Sequence, residues 1–283
     1  MIRLVFLYAF LIVSFVDAFN HHAFLERRGR SSGMTQILNA GSLDEGDDTR
    51  RGTACLNLVA RTSFESSIAP LVSSEKMFEF FKVETNRNCL VTAGNSKPCE
   101  TITPSPELLQ LWKIKAELTG GTEPNEGDVV LQINTGGIKF PGLTLQSVAM
   151  IGCKLVTSAV SNFPEYQFVL IDDAQQVEGA KPVVWIFNQL TGSSKKVRKP
   201  SDGPLSITRV SAKLTDDEQG FVFFNEGYLK IFVKFPAFLL RILPVSKEKA
   251  EEQGSMSIQK AIEKDVETSI LAFRDLYGAW KIT

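Results

Sequence analysis

In the stretch 244–280, apolar residues recur at Ile258, Ile262, Val266, Ile270, Phe273, Tyr277 and Trp280, always three or four positions apart. That spacing traces one stripe of an α-helix. Lys260, Glu263, Lys264, Glu267, Arg274 and Asp275 fall between them and make the opposite face polar. A helix of this kind cannot bury its own stripe, so the rest of the chain must supply a complementary apolar surface. Gly254-Ser255 is expected to bend it, since Gly costs about 1 kcal/mol relative to Ala inside a helix. The stripe is also graded: it ends in bulky Phe273, Tyr277 and Trp280 and starts with smaller side chains near Gly254. This grading predicts a pocket toward the 244–258 end.

The complementary surface reads as strands. Residues 54–68 show a strand-like pattern, and Ser73 stands where it would cap a short helix over 75–81. Cys89-Leu90-Val91 reads as a short strand and 94–98 as a turn. Ser105-Pro106-Glu107 fits the start of a helical turn at Leu108, whereas 111–118 alternates as a strand would. From Asp128 the chain reads as a meander. Residues 129–133 form a strand ended by Thr135-Gly136-Gly137. In 143–156, the run Val148-Ala149-Met150-Ile151-Gly152 suggests burial on both faces. Residues 166–171 form a strand turned by Asp172-Asp173, and 182–190 a further one that includes Trp185 and Phe187. A hairpin joins 205–214 to 221–235. Pro236 and Pro244 bracket an apolar run, which excludes an interior strand there.

The order is strand, short helix, meander, long C-terminal amphipathic helix. It resembles the helix-grip fold of the START-like and birch-pollen-allergen-like lipid-binding superfamily. The expected class is therefore α+β, a curved antiparallel sheet gripping a long C-terminal helix, in one domain over 53–283. Ile138-Lys139-Phe140-Pro141-Gly142-Leu143-Thr144, Pro182-Val183-Val184-Trp185-Ile186-Phe187-Asn188 and the stretch 235–280 are similar to a plastid and cyanobacterial family associated with that fold. The resemblance implies binding or transfer of a hydrophobic molecule such as a lipid, pigment or isoprenoid. Its cavity would be lined by Ile258, Ile262, Val266, Phe273 and Tyr277 from the helix and by Trp185 and Phe187 from the sheet. If the run 235–243 caps the cavity mouth, Phe238, Leu239 and Leu240 would touch a membrane during exchange; if it packs under the helix, they are core.

The first residues read as an address. Arg3 precedes an apolar run over 4–16 and then Val16-Asp17-Ala18, the arrangement of a secretory signal peptide over 1–18. Residues 19–52 form a basic, Ser-containing segment followed by an acidic lead-in, as in a transit peptide. A junction reading Val16-Asp17-Ala18-Phe19 resembles the bipartite plastid presequence of algae with secondary plastids, such as diatoms. It implies the plastid stroma, with peripheral contact at the thylakoid membrane; the alternative is a secreted protein with a polar propeptide.

Composition narrows the chemistry. The net charge is −1, so no global field draws the chain to nucleic acid. The two histidines, His21 and His22, both lie in the presequence, so the remainder lacks a Ser-His-Asp triad, a Cys-His pair and His-ligated metal. Cys55, Cys89, Cys99 and Cys153 form no CxxC pair; Cys89 and Cys99 flank a loop and stand where an oxidising compartment would allow pairing. Asp172-Asp173 and Asp216-Asp217 fall at expected turns, where Asp bonds its own backbone. Lys195-Lys196-Val197-Arg198-Lys199 fits a solvated loop or a dock for anionic lipid or RNA. No catalytic residue, metal ligand or cofactor is nominated. The functional readings are hydrophobic-ligand binding, an accessory or assembly factor for thylakoid complexes acting by protein contacts, and, less favoured, an enzyme on a hydrophobic substrate.

Overall fold

The computed structural model describes residues 53–92, 99–140, 143–159, 161–179, 203–216, 219–236 and 246–282. Among these residues, eight strands form one antiparallel sheet: β1 (Thr53–Glu65), β2 (Ala69–Pro70), β3 (Cys99–Ile102), β4 (Val129–Phe140), β5 (Leu143–Thr157), β6 (Pro164–Gly179), β7 (Leu205–Leu214) and β8 (Gly220–Pro236). The spatial order is β1-β8-β7-β6-β5-β4-β3, with β2 paired to the start of β8. The chain thus starts on one edge, crosses to the other, and meanders back until its last strand lies beside its first. Among the described residues, four helices accompany the sheet: α1 (Ser74–Lys82), α2 (Glu84–Val91), α3 (Pro106–Thr119) and α4 (Lys247–Ile282).

The meander differs from the sequence expectation in two places, and both bend the sheet. Thr135-Gly136-Gly137 does not end β4; the register against β5 shifts between Thr135 and Ile138 and the strand runs on to Phe140. Asp172-Asp173 does not turn the chain either. Met150 pairs with Asp172 while Ile151 pairs with Leu170, so β6 carries an extra residue there and continues to Gly179. Such bulges kink a strand and increase its twist, which curls a long sheet into a concave surface. The 205–214/221–235 hairpin forms as expected, its turn closed by Thr215 N–H donating to Gly220 O at 2.9 Å.

The concave face holds α4. Ile258, Ile270, Phe273 and Tyr277 are completely buried, with Ile262 and Val266 nearly so. The helix packs along β1, β8 and β2, with α2 at its flank. It also covers the free edge of β1: Asn57 N–H donates to Glu251 Oε1 at 2.7 Å and Val59 N–H to Ser255 Oγ at 3.1 Å. An exposed edge strand is a template for aggregation, and these two bonds occupy part of it. Gly254 does not break the helix. A Cβ there would lie 2.9 Å from Leu58 Cδ2, so the glycine lets the helix approach the sheet.

Ser73 caps α1 as expected, its Oγ accepting from Lys76 N–H at 3.4 Å, and Met77, Phe80 and Phe81 turn inward. Cys89-Leu90-Val91, expected as a strand, is instead the last turn of α2. Val83 is extended and breaks the helix, and Asn86 Nδ2 donates to Phe80 O at 3.0 Å across the break. The Cys89 thiol is buried in this helix, and no disulfide joins it to Cys99.

The largest departure lies on the outer face. Residues 111–118 alternate like a strand but lie within α3. Ser105 Oγ accepts from Leu108 N–H, Pro106 fits the first turn, and Gly120 closes the end at φ 70°. Trp112 and Ala116, four positions apart, join Val130, Val169, Ile171 and Ile207 in a second apolar cluster. Leu118 is left 46 % exposed, so burial follows the helical period. Lys154 Nζ ties the following loop down, meeting Asp128 Oδ2 at 3.1 Å and Glu123 O at 2.6 Å. Ala149, Ile151 and Cys153 of β5 lie in the inner core while Gly152 lies under Trp112 of α3, so the middle of β5 is covered on both faces, as the run 148–152 predicted. The architecture is a helix-grip α+β fold with an additional helix on the convex side.

Candidate ligand-binding site

Strand alternation puts Phe221, Phe223, Asn225, Gly227, Leu229 and Ile231 of β8 on the concave face. Five of these side chains are buried, and the sixth residue has no side chain. Asn225 therefore occupies an apolar phase, and next to it stands a gap. The pairing register sets Thr62 of β1, Gly227 of β8, Thr208 of β7 and Phe168 of β6 in one row across the sheet. A Cβ at Gly227 would lie 2.4 Å from Thr62 Oγ1 and 3.8 Å from Thr208 Oγ1. Gly227 is not among the glycines with positive φ, so its backbone makes no demand for glycine. What it supplies is space, part of which the Thr62 hydroxyl fills.

The space is a pit of about 30 Å³ between the row and α4. Ile262, Val266, Ser269 and Ile270 roof it, and Leu90 and Val91 of α2 wall one side. Ala60, Val210 and Leu229 complete an apolar rim, while Ser206 adds a hydroxyl. Thr62 is 6 % exposed and Asn225 3 %, yet neither Thr62 Oγ1 nor Asn225 Oδ1 has a hydrogen-bond partner. Buried polar atoms are almost always paired, because leaving one unpaired costs about 1–3 kcal/mol. The pit carries no Lys, Arg, His, Asp or Glu among its lining residues. Tyr228 borders it, but lies in the opposite phase of β8, where its ring packs on the outer cluster beneath Arg61.

Of the residues expected to line a cavity, Ile262 and Val266 do so. Ile258, Phe273 and Tyr277 are buried but do not line the pit. Phe273 and Tyr277 stand in a filled aromatic cluster with Phe80, Phe81, Phe223 and Trp280. Tyr277 donates its hydroxyl to Pro70 O at 2.7 Å, and burial pushes its pKa up to about 12. The pit lies opposite Ile262–Ile270 of α4, Gly254 brings the helix down onto Leu58, and the 244–258 end of the helix adjoins residues outside the described ones. Trp185, Phe187, Phe238, Leu239, Leu240 and the basic cluster 195–199 lie outside the described residues.

A second crevice, about 180 Å³, opens below the α1–α2 junction against Phe81, Arg87, Cys153 and Tyr166. The Tyr166 hydroxyl is buried with no partner, and burial raises both its pKa and that of the Cys153 thiol. Removing an unpaired buried hydroxyl returns its desolvation penalty. Tyr166→Phe is therefore expected to hold or raise stability, by up to about 1 kcal/mol in urea denaturation. A loss of that size would show that the hydroxyl is satisfied in solution. Among the described residues, no three or more His, Cys, Asp or Glu side chains are grouped to hold a metal ion, and no helix is long and apolar enough to cross a membrane.

No family model and no curated protein sequence matches this chain. Solved structures of norcoclaurine synthase from Thalictrum flavum are similar at a low level. A point mutant in complex with a transition-state analogue gives a TM-score of 0.30 at 10 % identity, covering 75 % of this chain and 97 % of that one. A truncated form gives 0.29 at 8 %, covering 72 % and 94 %. Likeness at this level transfers neither activity nor ligand.

Proposed function

We propose that this protein binds or transfers a hydrophobic small molecule, of the lipid, pigment or isoprenoid kind, between α4 and the sheet. The supporting observation is the pit: two unpaired buried polar atoms in an uncharged cleft of apolar and hydroxyl side chains, beside a filled aromatic cluster. Small-molecule sites combine apolar walls with a few placed polar groups in this way. About 30 Å³ holds roughly one water, against about 300–1,000 Å³ for ordinary ligand pockets. Uptake therefore requires the cleft to widen. The movable wall is α2, eight residues long, whose Leu90 and Val91 separate the pit from the side of the fold. α4 is held at both ends, by Gly254 on Leu58 and by the aromatic cluster, and stays in place.

The presequence supports action in the plastid stroma, with exchange at the thylakoid surface. Fusing residues 1–40 to a fluorescent protein tests this: plastid fluorescence is expected, and secretion would overturn it. The binding reading is tested on protein purified from its own plastid, by native mass spectrometry and lipid extraction. A stoichiometric small hydrophobic molecule is expected. A bare protein that co-purifies with a thylakoid complex would replace binding by the second reading, an accessory factor working through protein contacts. That reading stands ahead of an enzyme because the lining of the pit offers no acid or base side chain.

A further inference from the structure

We infer that the ligand is electrically neutral and carries a hydrogen-bond donor, a hydroxyl or N–H, that seats in the pit over Gly227. This rests on the binding reading above and names the chemistry of the end that enters first. Asn225 Oδ1 only accepts, and the Thr62 hydroxyl both donates and accepts. Each lacks a partner, and both lie on the concave face, Thr62 paired with Gly227 and Asn225 two positions before it on the same strand. A single hydroxyl placed over Gly227 donates to Asn225 Oδ1 and accepts from Thr62, so one small group satisfies both. Thr208, Ser206 and Ser269 line the same space with three more hydroxyls.

The size agrees. A pit of about 30 Å³ takes one water or one hydroxyl group, and a ring or a carboxylate with its hydration does not fit. The ligand head supplies the hydrogen bonds that both atoms lack. Charge discriminates more sharply than size. A carboxylate would place its lone pairs against Asn225 Oδ1, with no Lys, Arg or His among the lining residues to compensate it. Burying a charge without a partner is among the most costly events in a protein interior. The hydroxyls of the lining offer an anion only neutral donors, so a fatty-acid anion is disfavoured where an alcohol is accepted. Glycine at 227 is what lets the Thr62 hydroxyl stand in the row, since any Cβ there would displace Thr62 Oγ1.

The test uses 1-decanol, decanoate and decane as probes on the full chain at pH 8, each displacing Nile red. The variants are Thr62→Val and Asn225→Leu, which keep shape and remove the polar atoms, and Gly227→Ala, which displaces the Thr62 hydroxyl. Decanol is expected to bind at least tenfold tighter than decane or decanoate. The Thr62→Val/Asn225→Leu pair should erase the difference between decanol and decane. Gly227→Ala should abolish the decanol preference. Thermal melts check folding, and if Gly227→Ala does not fold, the Thr62/Asn225 pair decides alone. Equal binding of decanol and decane, or tightest binding of decanoate, overturns the neutral-donor inference and leaves hydrophobic binding standing. Displacement by none of the three overturns both, and leaves the pit as a site for buried water only.

Discussion

Replacing Phe273 by Ala is expected to destabilise the protein by about 3–5 kcal/mol, the range for truncating a fully buried Phe. Phe273 has no exposure, and its ring centroid lies 4.9, 5.3 and 5.0 Å from those of Phe80, Phe81 and Phe223. Those three come from α1 and β8, so one side chain joins the last helix, the first helix and the last strand. Their rings are held in turn by Tyr277 and Tyr166, at 5.1 and 5.0 Å from Phe80 and Phe81. A cluster this interlocked relaxes poorly into a cavity, which puts the cost at the upper part of the range. Urea denaturation followed by circular dichroism measures it. A change below about 1 kcal/mol would mean that α4 does not seat this face on the sheet. The variant lies away from the pit, so it separates the stability of the grip from ligand binding.

That face is legible in the sequence, because a three-and-four spacing over seven apolar residues has only one helical solution. Every member of the stripe from Ile258 to Tyr277 is buried. The hairpin β7–β8 is legible for the same reason, strong local pattern on both sides of a polar turn. Three local patterns mislead because a second principle overrides them. In 111–118 the alternation is real, yet the Ser105 cap and the Gly120 stop set a helix, and Trp112–Ala116 finds a partner surface on the sheet. Thr135-Gly136-Gly137 and Asp172-Asp173 carry turn residues that the sheet uses for bulges. At Gly254 the small end of the graded stripe draws α4 onto Leu58, while the expected pocket toward 244–258 borders residues outside the described ones.

The pit is hidden from the sequence for a different reason. Thr62, Thr208 and Gly227 lie on three strands, and only the pairing register brings them into one row. A local signal exists all the same. In β8 the buried phase reads Phe221, Phe223, Asn225, Gly227, Leu229, Ile231, so an amide and a glycine interrupt an apolar series. A polar residue in that phase marks either a defect or a site, and the phase is readable from sequence once the strand is accepted. What no sequence pattern supplies is Thr62, whose neighbours Ala60 and Phe64 look like an ordinary strand face.

A second large effect lies in the outer layer. Trp112→Ala is expected to cost about 3–5 kcal/mol, although Trp112 lies on a helix that the α4–sheet core does not need. Trp112 is completely buried and packs flat over Gly152 of β5; a Cβ at 152 would lie 2.2, 2.4 and 2.7 Å from three of its ring atoms. No rotation of a seated indole clears all three, so Gly152→Ala must push the ring or the strand aside, at about 1–3 kcal/mol. The indole Nε1 has no partner, which trims the loss on truncation without reversing it. The decisive measurement is the double mutant. If the ring sits on Gly152, the alanine methyl is harmless once the ring is gone, and the two penalties fall short of adding by at least about 1 kcal/mol. Strict additivity would mean that α3 is not seated on the sheet, and the convex face of β5 would then be open to water despite its Val148–Ile151 run.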